Sequence, residues 1–135
     1  MIEIFKAENP QILEHMYPTF NDFEEDNEWL LKDLFTLWAE DPENTCLMVA
    51  FQDRVLKAYV FGYARPDKSY VWIELAWGDP DFPIEHKREA QAKLEDWAIE
   101  KEKYEMQMQT TRLQVKAWDR LYGYKEHAII MRKEL

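Results

Sequence analysis

The chain has 135 residues, 15% of them aromatic and only three of them glycine, with a formal net charge of −10. That describes one packed domain, residues 1–135, and excludes a disordered tail. The surplus of acid argues against direct binding to nucleic-acid phosphates, and the apolar runs are too short and interrupted to span a membrane.

Ile2, Ile4 and Phe5 open the chain as a strand, with no basic and apolar leader of the secretory kind. Asn9-Pro10 supplies a helix N-cap followed by proline in the first turn. Ile12, Leu13, Met16 and Tyr17 form the apolar face of that helix, which Pro18 is expected to end. A second helix starts near Asp26 or Asn27 and carries Leu30, Leu31, Leu34, Phe35, Leu37 and Trp38 at helical spacing. Asp41-Pro42 stops it.

Three strands follow at 45–51, 55–64 and 70–77, with turns at 52–54 and 66–69. Strict alternation in the third places Val71, Ile73, Leu75 and Trp77 on one face, and Tyr70, Trp72, Glu74 and Ala76 on the other. A long helix runs from about Pro83 to Lys101, with Ala90, Leu94, Trp97 and Ala98 on one stripe. A strand at 104–109, a helix carrying Leu113, Ala117, Trp118 and Leu121, a left-handed cap at Gly123 and a strand at 124–133 complete the chain. The order β-α-α-β-β-β-α-β-α-β predicts an α/β (α+β) fold with a mixed, mostly antiparallel central sheet and helices on its faces.

Residues 1–60 carry 13 acidic and 4 basic side chains, a balance of −9, whereas residues 61–135 are nearly neutral. The acid clusters at Asp22–Glu28 and Glu40–Glu43. This field favours a cationic partner; a solvated, solubilising face is the plainer reading. Cys46 stands alone in an apolar strand, so it reads as a packing residue in a reducing, cytoplasmic protein. His15 and His127 lack ligand-like spacing to other donors, so no metal site is read.

Two stretches carry a resemblance. Glu74-Leu-Ala-Trp77 with Pro80-Asp81-Phe82 looks like the end of the fourth strand and the cofactor loop of the GNAT N-acetyltransferase superfamily. Val115–Tyr124, ending in Ile130–Leu135, looks like that family's closing helix, glycine-aromatic corner and last strand. The resemblance covers nearly the whole chain. It implies a sheet that parts between its fourth and fifth strands to admit acetyl-coenzyme A, a carboxylate or water as base on the fourth strand, and a tyrosine acid on the last helix.

The chain departs from that pattern in its phosphate loop. The family's Arg/Gln-x-x-Gly-x-Gly/Ala aligns with Glu85, Arg88 and Ala90, of which only Ala90 fits. Asp119 stands where the tyrosine is usual, and Arg112 where an asparagine often opens the last helix. Glu74, the one acid in its strand, becomes the expected base, with Tyr122, or water held by Asp119, as the acid. Backbone N–H groups near Leu75, Ala76 and Trp77 would face the thioester, with His86, Lys87, Arg88 and Ala90 near the coenzyme phosphates.

Two functions fit these residues. The first is acetyl-coenzyme A-dependent acetylation of a cationic primary amine (a polyamine, a lysine or a basic peptide), with Glu24, Glu25, Asp26 and Trp29 on the acceptor side. The second is a GNAT-fold module that has lost catalysis and engages a basic protein through its acidic half. Small, glycine-poor versions of the fold resemble some phage-encoded proteins, for which a host-cytoplasm or virion setting would be natural. Homodimerisation through the last strand is a further expectation without a sequence mark of its own.

Overall fold

The computed structural model describes residues 1–22, 27–108, 118–125 and 133, without the side chains of residues 22 and 27–31. Strand β1 (Ile2–Lys6) leads through α1 (Ile12–Met16) and a 3₁₀ segment (Tyr17–Asp22) to α2 (Asn27–Glu40). The meander β2 (Thr45–Gln52), β3 (Val55–Tyr63) and β4 (Val71–Gly78) follows, and α3 (Ile84–Glu100) connects β4 to β5 (Met106–Met108). Residues 118–122 form a further helical segment. The expected last strand lies almost wholly outside the described residues.

The five strands lie in the order β1-β2-β3-β4-β5, antiparallel except for β4 and β5. A parallel pair needs a long crossover, and α3 supplies it. Each sheet face has its own core. On one face α1, the 3₁₀ segment and α2 bury Met16, Phe20, Leu34 and Trp38 against Leu47, Val49, Tyr59, Phe61 and Leu75. On the other, Ala90, Leu94, Trp97 and Ala98 of α3 pack on Cys46, Met48, Val60, Val71 and Ile73. Leu94 sits so close to the sheet that a Cβ on Gly62 would lie 3.2 Å from it and 3.0 Å from Val71.

Several sequence expectations need correction. Asn9 does not cap α1: the residue before the helix is Gln11, without a side-chain cap, and the Asn9 Oδ1 accepts the Gln11 N–H at 2.9 Å in the turn ahead of it. The α-helix does stop at Met16, ahead of Pro18, but the chain goes on as the 3₁₀ segment, and Tyr17 is exposed rather than part of the apolar face. A 3₁₀ continuation gives up the α-helical ladder that proline would break. Phe35 is likewise exposed on α2. A further correction concerns β4. Its register against β3 shifts, with Leu75 opposite Phe61 and Ile73 opposite Gly62, so Glu74 is an extra residue. This β-bulge breaks the alternation. Val71 and Ile73 face α3, whereas Leu75 and Trp77 face the α1/α2 side.

Candidate functional site

The bulge decides what Glu74 can do. An unpaired residue in an otherwise core-forming strand turns its side chain out of the ladder. Glu74 is exposed yet partly desolvated, and its carboxyl is raised above the ordinary value, first by burial and then by the Asp33 carboxylate of α2. The two acids make a negative spot on the α2 side of β4. Beside it, β5 pairs with β4 only at Val71, Trp72 and Ile73 among the described residues. From Glu74 onward β4 therefore has no second neighbour within the described strands. Leu75 is buried, while Ala76 and Trp77 are half-buried and Trp77 stacks on Tyr59 at 5.6 Å.

The loop from β4 to α3 is held by side chains in place of glycines. Lys57, itself the extra residue of a bulge between β2 and β3, accepts the Asp79 N–H on its carbonyl at 2.8 Å. Its Nζ lies 3.4 Å from the Asp79 carboxylate. That carboxylate also accepts the Asp81 N–H at 2.9 Å, and this bond, followed by Lys57 and Lys87, holds Asp79 below the usual range. Phe82 buries its ring with Ala50 and Ala58, which anchors the loop before Pro83 begins α3.

No side chain caps the first turn of α3. Its backbone donors and dipole thus favour an anion, while Glu85 in the same turn opposes one. Lys87 lies along Gly78, its Cε 3.0 Å from where a Cβ would stand, so a cation covers the end of β4. The His86 ring packs on Phe82 at 5.6 Å, with Nδ1 3.9 Å from Glu89. Ala90 is buried against the sheet. Arg88 points elsewhere: its Nε donates to the Leu121 carbonyl at 2.9 Å.

That bond brings the last helical segment to the start of α3. Gly123, at φ 75°, donates to the Asp119 carbonyl at 3.0 Å and closes the segment as an αL cap. The Asp119 carboxylate pairs with Lys125. Tyr122 is half-buried against Trp118, with ring centroids 4.7 Å apart, and its hydroxyl has no hydrogen-bond partner among the described residues. Burial raises its pKa and the nearby Arg88 charge partly offsets this. Tyr124, by contrast, is saturated: its hydroxyl accepts from Gln91 at 2.5 Å and donates to Glu95 at 3.1 Å.

The structure sets Lys87 of the α3 start against Gly78 at the end of β4, joins α3 through Arg88 to the corner that carries Tyr122, and stands Glu74 near Asp33. Asp33, Lys57, Gln91 and Glu95 take part in the contacts described above, and sequence reading passed over all four. Only Lys57 had a local signal, as a charge within an apolar strand. Glu24, Glu25 and Asp26 lie outside the described residues, as does the side chain of Trp29. An open cavity of about 390 Å³ between β1 and α1, lined by Phe5, Lys6 and His15 among others, contains none of the expected site residues.

No protein-family model and no curated protein matches the sequence. Solved structures do match. Aminoglycoside N-acetyltransferase AAC(6′)-Iy in complex with CoA superposes with a TM-score of 0.77 at 19% identity, covering 100% of this chain and 96% of that one. Glucosamine-6-phosphate N-acetyltransferase from Arabidopsis thaliana gives 0.73 at 12% identity, over 99% and 98%. A predicted acetyltransferase from Clostridium acetobutylicum with acetyl-CoA gives 0.73 at 12%, over 99% and 96%. The fold is that of the GNAT acetyltransferases.

Proposed function

We propose that this chain transfers an acetyl group from acetyl-coenzyme A to a cationic primary amine, such as a polyamine, a lysine side chain or a basic peptide. The observation that carries the reading is the β4 bulge, which sets a partly desolvated carboxylate beside the stretch of strand that has no second neighbour within the described strands. It is supported by the fold, shared with acetyltransferases whose structures hold CoA or a CoA bisubstrate analogue. The α3 start fits a phosphate in part. Uncapped donors and Lys87 favour it, Glu85 does not, and the burial of Ala90 takes away the small residue expected at the anion.

Glu74 and Asp33 draw the ammonium of the acceptor, and Glu74 takes one of its protons. The freed nitrogen attacks the thioester carbonyl, forming the C–N bond as the C–S bond breaks. The backbone N–H groups within Leu75, Ala76 and Trp77 that point away from β3 would meet the developing oxyanion. The departing thiolate takes its proton from Tyr122, which regains one through solvent as the amide nitrogen sheds its second. His86 and Lys87 hold the phosphates. The products are an amide and a free thiol, with the proton on Glu74 returned to water.

Calorimetric titration with acetyl-coenzyme A, followed by mass analysis of a spermidine acceptor, tests this. Binding and an acetylated product are expected. Absence of heat and of any thermal shift at millimolar ligand ends the reading. Glu74→Gln is expected to lower kcat by about 10²–10⁴-fold, the range of a lost general base.

A second reading draws on different observations: Arg88 is bonded to Leu121, Asp119 to Lys125, and Glu85 sits in the α3 first turn. A module without catalysis would then use its acidic half to bind a basic protein. Stoichiometric capture of such a partner that survives moderate salt, by a chain silent toward acetyl-coenzyme A, would favour it.

A further inference from the structure

Three side chains on one stripe of α3, spaced by three and four residues, reach across to the corner at 121–124. Arg88 bonds the Leu121 carbonyl, Gln91 donates to the Tyr124 hydroxyl, and Glu95 accepts from it. Gln91 is buried and also lies 3.4 Å from Glu95, so Gln91, Glu95 and Tyr124 form one closed network, with the Arg88–Leu121 bond separate from it. Between Leu121 and Tyr124 sits Tyr122, wedged against Trp118. Trp118 in turn meets Tyr124 edge-on at 5.3 Å.

These contacts distinguish the polar groups of Asp119, Tyr122 and Tyr124 by what they already do. Tyr124 has its hydroxyl proton committed to Glu95, and Asp119 is held by Lys125. Tyr122 alone among them keeps a hydroxyl with no partner within the described residues. Its ring is fixed on both sides in sequence, by a backbone bond before it and a side-chain clasp after it.

We infer that Arg88 is a positioning residue, pinning the Leu121 carbonyl so that Tyr122 is held ready to protonate the leaving thiolate, with Gln91 and Glu95 locking the same corner through Tyr124. This rests on the acetyl-transfer reading and reassigns Arg88 from the coenzyme phosphates to the acid. A phosphate ligand would change coenzyme affinity. A positioning residue changes the step that needs the proton, and acts only through Tyr122.

The test uses the full chain with spermidine as acceptor and two donors, acetyl-coenzyme A and p-nitrophenyl acetate, whose phenolate leaves without a proton. Arg88→Ala and Tyr124→Phe are each expected to lower the ratio of kcat with the thioester to kcat with the phenyl ester by about tenfold or more, within the range of general-acid effects. The calorimetric Kd for coenzyme A should stay within about twofold, since that change is under 0.5 kcal/mol. The double variant Arg88→Ala/Tyr122→Phe should be no slower than Tyr122→Phe, because both act on one proton. Tyr124→Phe reads the clasp without touching the α3 first turn, should Arg88→Ala fold poorly.

A weakened Kd with kcat retained would make Arg88 a phosphate ligand and overturn the inference. So would a lowered melting temperature with an unchanged donor ratio, or effects of Arg88 and Tyr122 that multiply. Wild-type protein that leaves acetyl-coenzyme A intact overturns the acetyl-transfer reading and this one together, whereas active wild type with an unaltered Arg88→Ala ratio overturns this one alone.

Discussion

Glu74 shows how one residue carries both a cost and a use. Its carboxyl is raised by burial and by Asp33, so the folded state holds this proton more tightly than the unfolded chain does. That contribution to stability is present below the ordinary carboxylate pKa and is lost as pH rises through the raised one. Thermal melts of Glu74→Gln against wild type should thus diverge in favour of the variant from acid toward neutral pH. A constant difference would contradict the assignment. Cys46 is shifted in the same direction: burial pushes its thiol up to about 12, so an aromatic disulfide reagent should label it only after denaturant is added. The β2–β3 turn stores strain, since Asp53 (φ 51°) and Arg54 (φ 70°) both occupy left-handed backbone. This is the geometry of a two-residue type I′ hairpin, in which the second position favours glycine. Arg54→Gly is expected to stabilise by about 0.5–1 kcal/mol, read as a higher denaturation midpoint.

Among the elements, β4 departs most from its sequence pattern. Alternating apolar residues from Val71 to Trp77 suggest one continuous face, but the bulge at Glu74 assigns two of them to each core. The signal was present in the sequence as a lone acid among apolar neighbours. Its meaning depended on β3, because only the shift opposite Phe61 and Gly62 makes Glu74 an extra residue. Gly62 matters to the same strand pair for another reason. Val71 and Leu94 are fully buried around it, so Gly62→Ala would force a methyl into contacts of 3.0 and 3.2 Å. Overpacking of this kind costs about 1–3 kcal/mol, measurable by chemical denaturation. A neutral result would mean that α3 can slide on the sheet.

The molecule as a whole is a sheet with a separate core on each face, and the candidate site lies toward one end of β4, whose bulge divides its apolar residues between the two. Acid is distributed unequally around it. The first 60 residues hold almost all the net negative charge, and Asp33 extends that field to Glu74. Attraction of a polycation by such a field is screened at about 10 Å in 0.1 M salt. The KM for spermidine should therefore rise between about 0.05 and 0.5 M salt, while the KM for acetyl-coenzyme A moves much less. Equal sensitivity of both would place the acid away from the acceptor path.

Element order as far as β5, the three-strand meander, the long α3 and the Gly123 cap were legible because they depend on periodicity and on local backbone chemistry, which neighbouring residues carry. The buried Cys46 was legible for the same reason. Contacts between segments distant along the chain were not. Asp33 beside Glu74, Lys57 beside Asp79 and Arg88 on Leu121 join residues 41, 22 and 33 positions apart, and no local pattern marks such partners. Packing also chose between equivalent readings: Tyr122 and Tyr124 flank one glycine alike, yet only the tertiary fold spends one hydroxyl on Gln91 and Glu95 and leaves the other unbonded within the described residues.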